Sequence, residues 1–347
     1  MTDDATMIAR KQGHAGWLTF NRPKALNALD HEMAEVLEAA LDDWRDDPEV
    51  RLVIIDAAGD RAFCAGGDIA AIYHAGRAGD FSSGPAFWRD EYRMNAKIKE
   101  YPKSIVAFMQ GFVMGGGVGV GGLTSHRVVG DSTQIAMPET GIGLIPDVGG
   151  TLLLARAPGR LGEYLGVTGS RFGAADALLT GFADFYVPEA DWPALKDRLA
   201  QTGDVGVIPA GLAPEAPSRL APLRAEIDAA FSAGSVQAIA AALEASGTEF
   251  AAETLKVIRR NSALSEECTL QLVRMTRETP DIRSALSNEF RFTSRALEHA
   301  EFLEGVRAQI IDKDRNPQWQ YRLDNLPGAV VARLLAPLPE GQGLSFE

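Results

Sequence analysis

Two unbroken apolar runs, Leu52-Val53-Ile54-Ile55 and Ser104-Ile105-Val106-Ala107-Phe108, most constrain what this chain can fold into. A strand that is apolar on both faces needs cover on both sides, which is the situation of a parallel sheet with helices packed on it. The sequence between the runs supplies helical cover. Asp30 is an N-cap residue, and Met33, Val36, Leu37, Ala40, Leu41 and Trp44 follow at helical spacing. Gly16–Phe20, Arg127–Val129 and Gln134–Met137 read as further short strands. This alternation predicts an α/β fold with largely parallel pairing over residues 1–202. Residues 203–221 are Pro/Gly-rich and read as a connection. Residues 222–347 carry no convincing strand and read as a C-terminal helical region, with helices near 222–232, 235–246, 249–260, 266–277, 281–296 and 299–309.

Composition excludes several classes of function. The 347 residues carry a net charge of −13, which argues against nucleic acid and anionic membrane as partners. A local basic patch is still enough for a small anionic ligand. The two cysteines, Cys64 and Cys268, give no disulfide framework and suit a reducing compartment. The five histidines are scattered without metal-ligand spacing, so no metal is expected. No apolar run is long enough to span a membrane. The start of the chain has early acids and no apolar core of a secretory signal, so a cytoplasmic location is expected.

The chemistry-bearing residues cluster around two glycine runs. Ala65-Gly66-Gly67-Asp68 follows one short strand, and Met114-Gly115-Gly116-Gly117 follows another. Glycine lets backbone N–H groups approach a ligand with no Cβ in the way. Two such amides from separate loops can hold one developing oxyanion. A tight turn after a strand, or close packing of a helix, asks for the same glycines. The G-x-G-x-x-G match at Gly117, Gly119 and Gly122 lacks the strand–turn–helix context of a dinucleotide site. Glu139, in an apolar stretch, fits acid/base work. Asp147 lies near it and equally suits the N-cap of a helix through Leu152–Leu154. Glu91 reads by itself as a solvated helix residue, and Cys64 as a small buried one. No G-x-S-x-G nucleophile elbow and no phosphate loop are present.

The ordered set of segments resembles the crotonase (enoyl-CoA hydratase/isomerase) superfamily. It runs through Asn21-Arg22-Pro23-Lys24-Ala25-Leu26-Asn27-Ala28, Phe63-Cys64-Ala65-Gly66-Gly67-Asp68, Gly115-Gly116-Gly117 and Pro138-Glu139. Met137-Pro138-Glu139-Thr140, Ile145-Pro146-Asp147-Val148-Gly149-Gly150 and the late Glu304-Gly305-Val306-Arg307-Ala308 with Ile311-Asp312-Lys313-Asp314 are similar to its 3-hydroxyisobutyryl-CoA hydrolase branch. The resemblance implies a β-β-α spiral core followed by C-terminal helices. It implies an oxyanion hole from the N–H groups of Gly67 and Gly116, with Glu139 and Asp147 as catalytic carboxylates. Glu91, Gly116, Glu139 and Asp147 would contact substrate, and Arg22–Ala28 would lie where the family holds coenzyme A. It further implies an acyl-CoA thioester as substrate and no separate cofactor; members often assemble as homo-oligomers, and the longer C-terminal region here leaves the oligomeric state open. Hydratases of the family carry a second glutamate two residues after the glycine triplet, and here that position is Gly119. Loss of an acid/base group costs about 10²–10⁴-fold, so water addition to a double bond is disfavoured. The expected reaction is hydrolysis of a short 3-hydroxyacyl-CoA. A hydratase or isomerase with reassigned acid/base groups, and a noncatalytic acyl-CoA binder, are the alternatives.

Overall fold

The computed structural model describes residues 5–346. The acids at the very start of the chain therefore lie outside the described residues. The described chain forms two compact units, and neither is one continuous segment. The first comprises Met1–Asp68, Met94–Ala136 and Arg171–Arg219, and the second Ile69–Arg93, Met137–Ser170 and Leu220–Glu347.

Among the described residues there are nine strands, all in the first unit. They are β1 (Met7–Gln12), β2 (Ala15–Phe20), β3 (Leu52–Ala57), β4 (Ala62–Cys64), β5 (Ser104–Met109), β6 (Phe112–Met114), β7 (His126–Val129), β8 (Gln134–Ala136) and β9 (Phe185–Tyr186). Six of them form a sheet in the order β1-β2-β3-β5-β7-β9, and the other three a smaller sheet in the order β4-β6-β8. Every pairing is parallel except β1 with β2. The two unbroken apolar runs became the central strands β3 and β5, buried on both faces as their composition demands. One face of the large sheet presents Trp17, Leu52, Ile54, Val106, Phe108 and Val128 to the helix Trp192–Thr202, which buries Trp192, Leu195 and Leu199 against them. Asp30 caps the helix His31–Arg45, accepting from the Met33 N–H at 2.9 Å. Strands β4, β6 and β9 span two or three residues, too short for any period to show in sequence.

The second unit is helical, and none of the nine strands belongs to it. Its C-terminal helices start where the sequence supplies caps. Ser235, Thr248, Ser262 and Asp281 each accept a hydrogen bond from the backbone N–H three residues on. The late Glu304–Asp314 motif closes a loop. The Arg307 guanidinium binds Glu304 at 2.8 Å, and both Asp312 and Asp314 at 2.7 Å. The sequence division at 202 and 222 runs along the chain, whereas the compact units interleave. Residues 137–170 join the C-terminal helices because their own helices need that cover. Leu152, Leu153 and Leu154 of Gly150–Arg156 and Leu165 and Val167 of Leu161–Thr168 are buried, and Gly166 packs beside the Thr269 methyl of Ala263–Glu278.

Candidate active site

The glycine loops belong to the first unit. After β4 the chain turns at Gly66, whose φ of 119° is open only to glycine. Gly66 and Asp68 are tied to Leu29, through Leu29 N–H to Gly66 C=O at 2.9 Å and Asp68 N–H to Leu29 C=O at 2.8 Å. That pairing brackets Gly67, whose own N–H has no acceptor among the described residues. The second loop leaves β6 through Gly115 (φ 48°, ψ −119°) and enters the buried helix Gly116–Gly121. The Gly116 N–H likewise has no acceptor among the described residues. Gly117 has a plain packing reason: a Cβ there would collide with the Cys64 carbonyl oxygen at the end of β4. The glycine-spaced match at Gly117, Gly119 and Gly122 runs through this helix instead of preceding it, so it forms no dinucleotide turn. Gly117→Ala is expected to destabilise the fold by about 1–3 kcal/mol, since backbone must shift to admit the methyl. A urea midpoint equal to wild type would show that this contact is not tight.

Arg22–Ala28 stands beside the first glycine loop. Leu26 and Asn27 take positive φ values of 52° and 55°. The turn is held by Asn27, whose Oδ1 accepts from Arg22 N–H and whose Nδ2 donates to the carbonyls of Ala58 and Ala62. The Arg22 guanidinium contacts Asp30 at 3.0 Å and Asp68 at 3.2 Å.

The carboxylates belong to the second unit. Glu91 lies on the helix Ser83–Lys99, Glu139 opens the turn Glu139–Ile142, and Asp147 sits in the loop before Gly150–Arg156. All three are buried. Glu91 is thus not the solvated residue its neighbours suggested. With Trp88, Tyr92 and Asn95 it forms the i, i+3, i+4, i+7 stripe of the helix's buried face. Asp147 is not a side-chain cap either. The N-cap of Gly150–Arg156 is Gly149, and the Asp147 carboxylate instead accepts from the Tyr92 hydroxyl at 2.7 Å. Tyr92 also reaches Thr293 Oγ1 at 3.3 Å. Val148, between Asp147 and Gly149, has a φ of 53°, a strained backbone for a β-branched residue that costs about 1–3 kcal/mol.

A fourth buried acid, Glu289, completes the cluster. It accepts from Gly149 N–H at 2.9 Å and from Thr151 N–H at 3.0 Å and Thr151 Oγ1 at 2.5 Å. Sequence reading missed it. The signal was an acid inside the buried stripe Ile282, Ala285, Leu286, Glu289, Phe290, Thr293. Cys64 is fully buried, as expected of a small core residue. A hollow of about 680 Å³ lined by Arg259, Trp319 and Tyr321 lies elsewhere in the second unit, and none of the four acids lines it.

Burial governs the protonation of this cluster. It pushes Asp147 up to about 7, opposed by the Tyr92 hydrogen bond. Glu289 is also pushed up to about 7, opposed by Thr151 and Gly149. Burial first, then the charge of Asp147, hold both Glu91 and Glu139 well above the usual carboxylate range. The Glu139 Oε2 and Glu91 Oε1 atoms have no hydrogen-bond partner among the described residues. Carboxyls raised in the folded state bind more protons folded than unfolded. Their contribution to stability is present below about pH 4 and is lost as pH rises through about 7. Melting temperature across this range is therefore expected to fall less steeply in Asp147→Asn than in wild type. Identical slopes would mean that Asp147 ionises alike in both states.

A backbone N–H left without an acceptor, and a buried acid with no cation partner among the described residues, are each features that acyl-transfer chemistry uses. Residues 15–335 match the family model described as enoyl-CoA hydratase/isomerase.

The chain belongs to the enoyl-CoA hydratase/isomerase family.

Relatives within and around the family are similar over nearly the whole chain. The mitochondrial 3-hydroxyisobutyryl-CoA hydrolase of Xenopus tropicalis is 39% identical, covering 92% of this chain and 86% of its own. The Homo sapiens protein of the same name is 37% identical, covering 90% and 84%. A crystal structure of an enoyl-CoA hydratase from Rhodobacter sphaeroides superposes with a TM-score of 0.95 at 53% identity, covering 99% of this chain and 100% of that one. A carnitinyl-CoA dehydratase from Mycobacterium thermoresistibile gives 0.94 at 40% identity, covering 99% of both. The spiral core with C-terminal helices is thus the crotonase fold of the family. Among the described residues no helix is long and apolar enough to cross a membrane.

Proposed function

We propose that this chain hydrolyses the thioester of 3-hydroxyisobutyryl-CoA, releasing 3-hydroxyisobutyrate and coenzyme A. The observation that carries the reading is Glu139, a buried carboxylate with one oxygen free of protein partners and set among other acids. In our reading the amides of Gly67 and Gly116 stabilise the oxyanion, each donor lowering the barrier by about 3–4 kcal/mol. Their lack of protein acceptors supports this. Glu139 serves the acyl carbon, by activating water or by attacking to form an anhydride. Single turnover in heavy-oxygen water separates the routes, since only the anhydride leaves label in the Glu139 carboxylate. Asp147, anchored by Tyr92, takes the 3-hydroxyl, with Glu91 beside it. Arg22–Ala28 contacts the coenzyme A moiety. No metal or redox group enters the reaction as we read it.

We read the reaction as a step of valine breakdown, and the substrate named for the hydrolase relatives supports that reading. Two free, buried cysteines support a cytoplasmic setting. The family resemblance supports assembly as a homo-oligomer, and the longer C-terminal region leaves the oligomeric state open. A second reading, water addition to an enoyl-CoA, draws on the hydratase name of the 53%-identical structure. Against it, the position of the hydratases' second glutamate is Gly119, inside a helix of small residues. Thiol release over a panel of acyl-CoA thioesters tests the assignment. Hydrolysis frees coenzyme A from the 3-hydroxyacyl substrates. Consumption of an enoyl-CoA with no free thiol would overturn it.

A further inference from the structure

We infer that Glu289 is a positioning residue for thioester hydrolysis, clamping the strained loop Asp147–Thr151 and so setting where the Asp147 carboxylate stands. The inference rests on the reading of Asp147 as the group that takes the 3-hydroxyl. Three donors converge on the two Glu289 oxygens: the N–H groups of Gly149 and Thr151 and the Thr151 hydroxyl. Both amides belong to the start of Gly150–Arg156, where a helix leaves its first N–H groups without partners. They are buried there, so without Glu289 they would be left unpaired.

The clamp acts where the backbone has most reason to move. Val148 stands in the left-handed region immediately before Gly149. A β-branched residue stays in that region only when its surroundings over-determine it. Relaxation of Val148 would swing Asp147, the preceding residue. Asp147 is thus held twice. Its carboxylate is held by Tyr92, which Thr293 contacts, and its backbone is held by the bonds of Glu289 to Gly149 and Thr151. Glu289 and Thr293 lie one turn apart on the same helix, Ile282–Thr293, so a single element supports both ends of Asp147. A neutral side chain could cap a helix. A buried acid here has no cation partner among the described residues, and the ionisable groups facing it are Asp147, Glu139 and the Tyr92 hydroxyl. Its charge therefore bears directly on the groups proposed to act on substrate.

The test is Glu289→Gln in the full chain, assayed by thiol release on 3-hydroxyisobutyryl-CoA and on isobutyryl-CoA, which lacks the hydroxyl. Asp147→Asn is assayed alongside. Gln keeps the volume but has one acceptor oxygen for three donors. We expect kcat/KM on the hydroxyacyl substrate to fall about tenfold or more, because displacement of a substrate-positioning group by an ångström costs up to about 10²-fold. The loss on isobutyryl-CoA is smaller, so selectivity narrows as it does in Asp147→Asn. Removal of a negative charge favours ionisation of its neighbours, so the acid limb of the pH–rate profile moves to lower pH. Equal losses on both substrates with an unmoved profile would reduce Glu289 to a structural cap and overturn the inference. If Asp147→Asn keeps its selectivity, the reading of Asp147 fails and the inference falls with it. If only Asp147→Asn loses selectivity, the inference alone fails. Should Glu289→Gln not fold, Thr151→Val removes one donor at constant volume. A smaller loss of the same selectivity supports the clamp, and unchanged selectivity overturns it.

Discussion

Glu139→Gln is expected to lower thioester turnover by about 10²–10⁴-fold while leaving the protein folded. The amide matches the carboxylate in size, but it neither accepts a proton nor attacks an acyl carbon. The fold should tolerate the exchange well. Glu139 is buried, one of its oxygens has no partner among the described residues, and burial holds its carboxyl well above the ordinary range. A neutral side chain therefore removes a desolvation cost instead of creating one. The sign of the pH effect follows. Both proposed routes need the ionised carboxylate, which burial disfavours, so wild-type turnover rises with pH above the ordinary carboxylate range, and this limb disappears in the variant. Folded Glu139→Gln protein with near wild-type release of thiol would remove Glu139 from the mechanism. The catalytic reading of the cluster would go with it.

Asp147→Asn is expected to cost the 3-hydroxyacyl substrate about tenfold more than the corresponding plain acyl-CoA. A hydrogen bond to a charged group contributes about 1.5–3 kcal/mol against about 0.5–1.5 for a neutral one, and a difference near 1.4 kcal/mol is tenfold. The Tyr92 hydroxyl can still donate to the amide oxygen, so the side chain keeps its anchor. The comparison then reads the lost charge and not a lost position. Parallel kcat/KM measurements on 3-hydroxyisobutyryl-CoA and isobutyryl-CoA decide it. Equal losses on both would give Asp147 a general role in place of recognition of the hydroxyl.

Several of these groups were visible before any coordinates. Glu139 stood out because an acid in an apolar stretch is costly unless it is used, and Gly119 because it occupies the place of the hydratases' second acid. Others were hidden for physical reasons. Tyr92 and Glu289 are separated by almost two hundred residues of chain, and no local pattern brings a tyrosine on one helix and an acid on another to one loop. Asp147 carried two readings because a cap and a ligand-binding carboxylate look alike in sequence. The hydrogen bond from the Tyr92 hydroxyl and the N-cap at Gly149 removed the cap reading. Glu91 was misread locally, because the stripe it shares with Trp88, Tyr92 and Asn95 shows its burial only once that helix face is covered.

By itself the sequence determined the strands buried on both faces, the parallel pairing and the capped helices of the C-terminal region. Each of these follows from near neighbours along the chain, through side-chain spacing, β-branching or a capping oxygen. It determined the family as well, since the motifs occur in order. The tertiary structure alone decided that residues 69–93 and 137–170 fold with the C-terminal helices, and that four acids share one buried place. It also decided that a valine before the Gly150–Arg156 helix is held in a strained backbone by a glutamate far along the chain. These outcomes depend on which apolar faces cover one another and on charges brought together out of water, and neither is a local property of the chain.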